Sequence, residues 1–198
     1  MRANVGSVSV VVEGPSDEGA VRAIVRECGH DVARILGRKG RGYIEKNIKA
    51  YSEAARFSPW FVLIDLDNVA KCPGDLRVEL LEQEHEQLVF RIAVVELEAW
   101  LLADRERVAQ FLHVSQALIP RSPETLTGPK ECLIGLARRS RSRTVREGLV
   151  PREGSGAQVG PQYVSMVNDF GERLWRPEIA AEAAPSLHRC MQHLRGLC

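Results

Sequence analysis

Short apolar runs alternate with stretches of helical periodicity through the first hundred residues. Ser7-Val8-Ser9-Val10-Val11-Val12 is β-branched and reads as a strand. Gly14-Pro15 breaks it, Ser16 is placed to cap a helix, and residues 17–28 carry Ala20, Val21, Ile24 and Val25 on one face. Gly29 ends that helix. Asp31 to Leu36 reads as a short strand, and Tyr43 to Phe57 as an amphipathic helix with Ile44, Ile48 and Ala55 inward, stopped by Ser58-Pro59. Phe61-Val62-Leu63-Ile64 is too short for a helix and apolar throughout, so it reads as a fully buried parallel strand. A turn at Lys71-Cys72-Pro73-Gly74 leads to a helix over 75–87, whose Glu79, Glu82, Glu84 and Glu86 form a solvated face, and then to a strand from Leu88 to Val95. Strands alternating with helices predict an α/β fold with a mostly parallel sheet flanked by helices.

The second half has no strand pattern. Helices are expected over Arg105–Leu112, Glu131–Arg139 and from Gly160 through Phe170, with a final helix or helix pair over Ala180–Leu197 broken at Pro185. The expected organisation is a core over residues 1–104 and a helical C-terminal region, 105–198, packed on it.

Acids stand where the strands end. Glu13 follows the first strand and Asp17 falls in the first helical turn, where the helix dipole tolerates an anion. Asp65 and Asp67 close the third strand, and on an extended backbone residues two apart point the same way. Glu96 and Glu98 follow the fourth strand, with Glu98 expected to face the carboxyl edge, where open α/β sheets bind ligands. An Asp-rich turn after a strand is common. Acids at three strand ends of one sheet are not, and such a cluster repels itself unless divalent ions neutralise it. Hard oxygen ligands suit Mg²⁺ or Mn²⁺.

Composition narrows the remaining classes. The 198 residues are 44% hydrophobic and 27% charged with net charge +1, so any nucleic-acid contact must come from a local patch. One candidate is Arg138, Arg139, Arg141, Arg143 and Arg146, read either as a phosphate-contacting strip or as a mobile charged loop. The basic loop Gly37-Arg38-Lys39-Gly40-Arg41-Gly42 reads either as a phosphate contact or as a connector, and its glycines do not match a Walker A pattern. The five cysteines include no Cys-x-x-Cys pair and read as reduced thiols of a cytoplasmic protein. The five histidines read as structural or surface residues. No apolar stretch approaches 18 residues, so no membrane span is expected.

Glu13-Gly-Pro-Ser-Asp17 after a strand, followed by Asp65-Leu66-Asp67, resembles the TOPRIM signature of primases, topoisomerases and the overcoming-lysogenization-defect (OLD) nucleases. Asp17, four residues after the glutamate, looks like the OLD version. Glu96-Leu-Glu98-Ala-Trp-Leu-Leu-Ala-Asp104, with Gly-Pro-Lys130, Trp175-Arg-Pro177 and Pro185-Ser-Leu187, resembles a family of small TOPRIM-like bacterial proteins. These are commonly found beside an ATPase and suspected of roles in phage defence. The resemblance implies a TOPRIM-like, Rossmann-like fold. It implies metal ligation by Glu13, Asp17, Asp65, Asp67 and Glu98 at a two-metal site, with Lys130 steadying charge at a scissile phosphate and Glu13 as ligand or general acid/base.

The expected function is a Mg²⁺- or Mn²⁺-dependent nuclease acting on DNA ahead of RNA. A separate ATPase subunit is the expected partner, and self-association is left open. The alternatives are a non-cleaving effector or binding subunit of an ATPase-containing complex, and phosphoryl transfer on a small nucleotide.

Overall fold

The structure, a computed structural model, describes residues 6–67, 72–81 and 85–197. The chain opens with β1 (Ser7–Val12), a 3-10 turn at Pro15–Asp17, α1 (Glu18–Glu27), β2 (Asp31–Gly37), α2 (Arg41–Ala54) and β3 (Trp60–Asp65). Next come α3 (Pro73–Leu80), β4 (Leu88–Ala93), α4 (Leu97–Ala103), α5 (Arg105–Leu112), α6 (Pro129–Arg138) and α7 (Arg143–Leu149). The chain closes with α8 (Tyr163–Arg173), α9 (Pro177–Ala181) and α10 (Pro185–Arg195).

The four strands form one parallel sheet in the order β2-β1-β3-β4. This is the α/β arrangement expected from the sequence, consistent with a TOPRIM-like fold. Period-2 alternation divides the strands between two cores. Val8, Val10 and Val12 of β1, with Phe61 and Leu63 of β3, pack in one apolar cluster with α1 and residues of α4 to α10. Val11, Val62, Ile64, Phe90 and Ile92 face the other side, against Ile44 and Ile48 of α2 and Leu76 of α3. The central strands are apolar on both faces because both faces are covered. Helices α4 to α10 thus share a core with α1 and one face of the sheet.

Four expectations need correction. Ser16 is not the cap: it lies within the 3-10 turn, and Asp17 accepts from the Gly14 N–H (2.8 Å) and the Ser16 hydroxyl (3.1 Å). Pro15, at the first turn position, tightens the chain before the α-helix can begin. The helix expected over 75–87 ends at Leu80, because Leu81 turns extended (φ −148°, ψ 101°) and buries its side chain in the second core. Of its acidic face, Glu82 and Glu84 lie outside the described residues. The arginine run is only partly a loop: Arg138 ends α6 and Arg143 begins α7, capped by Ser142, while Arg139 and Arg141 lie in the connection between the two helices. Finally, β4 stops at Ala93, short of Val95, and the Val94–Val95 peptide is cis.

Candidate active site

The carboxyl edge of the sheet carries the acids, and local backbone chemistry holds each in place. Glu13 follows β1, and its Oε1 accepts from the Asp65 backbone N–H across the neighbouring strand (2.9 Å). Asp65 ends β3, and its Oδ1 accepts from the Leu97 N–H at the start of α4 (2.9 Å). Each of these two carboxylates spends one oxygen on an amide and, among the described residues, keeps the other. Glu98 lies in the first turn of α4 and is buried at 3% exposure. Its Oε1 accepts from the Tyr163 hydroxyl (2.7 Å) and lies 3.5 Å from Lys130 Nζ. Glu96, at the residue before α4, accepts from the Lys130 backbone N–H (2.8 Å) and stands 3.9 Å from Lys130 Nζ.

These groups share one electrostatic neighbourhood. Burial pushes Asp65 well above the usual carboxylate range, and Glu98, Asp17 and Glu13 add their repulsion. Burial raises Glu13 to about 7, although the Asp65 amide opposes it; Asp67 and Asp17 push it further up. Asp17, Glu96 and Glu98 are also raised, burial being the first cause in each. Lys130 is the counterweight. Burial pulls its ammonium down, but Glu98, Glu96, Asp65 and Asp17 outweigh that and hold it above its ordinary value. Glu13, Asp17, Asp65, Glu98 and Lys130 are therefore brought together.

Asp67 stands at the margin. Strand alternation does not extend to it, because β3 ends at Asp65 and Asp67 adopts a left-handed backbone (φ 52°), which a short polar side chain tolerates; its charge still acts on Glu13, ahead of that of Asp17. It is exposed, with Oδ2 at 3.9 Å from Arg41 Nη1. The arginines Arg138, Arg139, Arg141 and Arg143 are not at this site. Lys130 lies at the start of α6 and Arg138 at its end, eight residues on, which at 1.5 Å per residue is about 12 Å along the axis.

Three side chains that the sequence reading did not assign to the acid cluster pack around it. Tyr163, expected only near the start of a helix, is buried against Glu98, and burial followed by Glu98's charge raises its hydroxyl above the usual range. Asn168, one helical turn and a little further along α8, accepts from the Gly19 N–H (2.7 Å) and donates to the Pro15 carbonyl (2.7 Å), fixing the turn that carries Asp17. Arg41 leaves the basic loop to begin α2, donates to the Leu66 carbonyl (3.3 Å) and pairs with Glu45 (2.6 Å). No local signal marks Tyr163 or Asn168, since their partners lie 65 and 149 residues away.

The other pieces of the sequence pattern are pins for α4. Asp104, fully buried, accepts from Arg176 Nε (2.9 Å) and Nη2 (2.7 Å), and the Trp100 indole donates to Ser186 (2.7 Å).

The donor set, hard carboxylate oxygens short of compensating charge, fits a divalent cation. Among the described residues, no three His, Cys, Asp or Glu side chains stand close enough to hold one as placed. Binding an ion would draw the carboxylates inward.

No family model matches the chain, and no curated protein does. Among solved structures, the C-terminal region of the Burkholderia pseudomallei OLD protein superposes with a TM-score of 0.46 and 15% identity, over 95% of this chain and 96% of that one. At that level the neighbour carries no argument about what this chain does. Among the described residues, no helix is long and apolar enough to cross a membrane.

Proposed function

We propose that this chain is a metal-dependent nuclease whose site is built from Glu13, Asp17, Asp65, Asp67 and Glu98, with Lys130. The observation that supports this reading is the mutual repulsion of partly buried acids from three strand ends, offset by Lys130 beside Glu98 and Glu96 and by Arg41 beside Asp67. Bound Mg²⁺ or Mn²⁺, held by these carboxylates, would supply Lewis-acid polarisation of a phosphodiester and an activated water. Lys130, already cationic among the acids, would steady charge developing on the phosphate oxygens. Glu13, with its carboxyl near 7, is poised to take or give a proton at neutral pH. Tyr163 holds the Glu98 carboxylate in one orientation. DNA is the proposed substrate ahead of RNA, in the cytoplasm, with a separate ATPase as partner in a bacterial defence system.

Plasmid cleavage with Mg²⁺ or Mn²⁺ tests this. Wild type should cleave, and Asp65→Ala and Glu13→Ala should not; activity surviving both changes removes the assigned site. One observation favours a second reading, a non-cleaving subunit of an ATPase complex: no three ligands stand ready for an ion among the described residues. Calorimetric Mn²⁺ titration separates the two, since binding without cleavage supports the subunit.

A further inference from the structure

We propose that the arginines running from the end of α6 through α7 to Arg152 form a docking surface for the phosphate backbone of a nucleic acid. Residues 138–153 hold six arginines and two acids, Glu147 and Glu153, a net charge of +4 in a chain whose total is +1. Arg138, Arg139, Arg141, Arg143, Arg146 and Arg152 are all exposed. The fold gathers them. Arg138 and Arg152 line one groove of about 490 Å³, with Glu153 beside them. Arg146 and Arg152 line a second groove of about 640 Å³. Val150 and Pro151 line both, so the two grooves meet at Arg152.

Most of this charge is uncompensated. Arg143 pairs with Glu147 (2.7 Å). Arg146 donates to the Ser140 carbonyl, a neutral group that leaves its charge intact. Among the described residues, Arg138, Arg139, Arg141 and Arg152 have no acidic partner. The negative end of α6, about half an elementary charge, accounts for one arginine at most. Guanidinium forks match phosphate oxygens two at a time. The exposed large apolar side chains of the described residues all lie outside 138–157, so this surface offers no anchor for a protein partner. It also has no aromatic for base stacking, which confines its contacts to the backbone. Its position suits the proposed chemistry. Helix α6 runs from Lys130 to Arg138, about 12 Å along its axis. Gln162 lines the larger groove, and the next residue, Tyr163, donates to Glu98. With one phosphate per roughly 3.4 Å of axis on each strand, the arginines engage phosphates about three or four nucleotides from the acids.

Nucleic acid as the occupant rests on the nuclease reading, so the test separates the two. Anisotropy of a short fluorescein-labelled DNA duplex is measured in EDTA over a series of salt concentrations. Wild type is compared with Arg138→Gln/Arg152→Gln and with Arg139→Gln/Arg141→Gln. Lys46→Gln/Lys49→Gln removes the same charge from exposed positions of α2, on the other face of the sheet. Circular dichroism confirms that each variant is folded. Each arginine pair should lower the slope of log K against log salt by about 2 and the affinity by about tenfold or more. The α2 pair should change the affinity less than about threefold. Unchanged binding in both arginine variants overturns the docking surface, and Mn²⁺-dependent plasmid cleavage by those variants then leaves the nuclease reading standing. Equal losses in the arginine and α2 variants also overturn it, as does absence of DNA binding by wild type. Loss confined to the arginine variants, in a protein that binds DNA but never cleaves it, upholds the surface and removes the nuclease.

Discussion

The sheet and the helical second half contribute opposite things to the same pocket. The strand ends bring negative charge: Glu13, Asp17, Asp65 and Glu98 all arrive by short local geometry at the carboxyl edge of the sheet. The second half brings the counter-charge and the props, with Lys130 from α6 and Tyr163 and Asn168 from α8. Neither part makes a site alone. The acids repel without the lysine, and the lysine would be a half-buried, unpaired cation without the acids. The first half supplies the acids, and the second supplies both the counter-charge, Lys130, and the props, Tyr163 and Asn168.

The sharpest way to break that comparison is Lys130→Met. Removing the cation that pairs with Glu98 and Glu96 should lower cleavage by a factor on the order of 10² or more. It should also destabilise the fold by about 3 kcal/mol. At about 2–4 °C per kcal/mol for a chain of this size, calorimetry should register a fall in unfolding midpoint of about 6–12 °C.

Gly19→Ala tests the mechanical side without touching a charge. A Cβ there would meet the Asn168 carbonyl oxygen at 2.2 Å, so α1 and α8 must separate, at a cost of about 1–3 kcal/mol. Chemical denaturation should show a lower midpoint, and cleavage should fall with it as Asp17 moves.

Tyr163→Phe should cost about 1 kcal/mol by removing one hydrogen bond to a buried carboxylate. A double-mutant cycle with Glu98→Gln should return a coupling energy of the same sign. Strict additivity would mean that Tyr163 is only filler.

The smallest effect is a slope with pH. Glu13's carboxyl lies near 7 when folded against an ordinary value of 4.5. Between those values the folded protein binds more protons than the unfolded chain, so stability in the absence of metal should fall as pH rises from about 4.5 to about 7. Thermal midpoints in EDTA across that window should show the fall, Glu13→Gln should lessen it while the other raised carboxyls keep part of it, and Mn²⁺ should reverse it at the upper end.

The strand ends were legible because their information is local. A β-branched run, a Gly-Pro break and an acid within a few residues place Glu13 and Asp17, and Phe61 to Asp65 does the same for the third strand. For Asp67 the sequence argument from strand alternation does not apply, because the chain has left the sheet there (φ 52°), although its charge still acts on Glu13. Lys130 was found through a resemblance. Nothing near Tyr163 in the chain announces a carboxylate 65 residues away.

One feature of α8 reaches further than its own hydrogen bonds. Tyr163 and Asn168 sit five residues apart on one rod, the first gripping the acid of α4 and the second the turn beneath Asp17. Gly19 and Gly171 let that rod lie directly against the α1 backbone. A displacement of the rod therefore tugs both carboxylates at once, so the two sides of the pocket spread or close in step, like jaws on a common shaft.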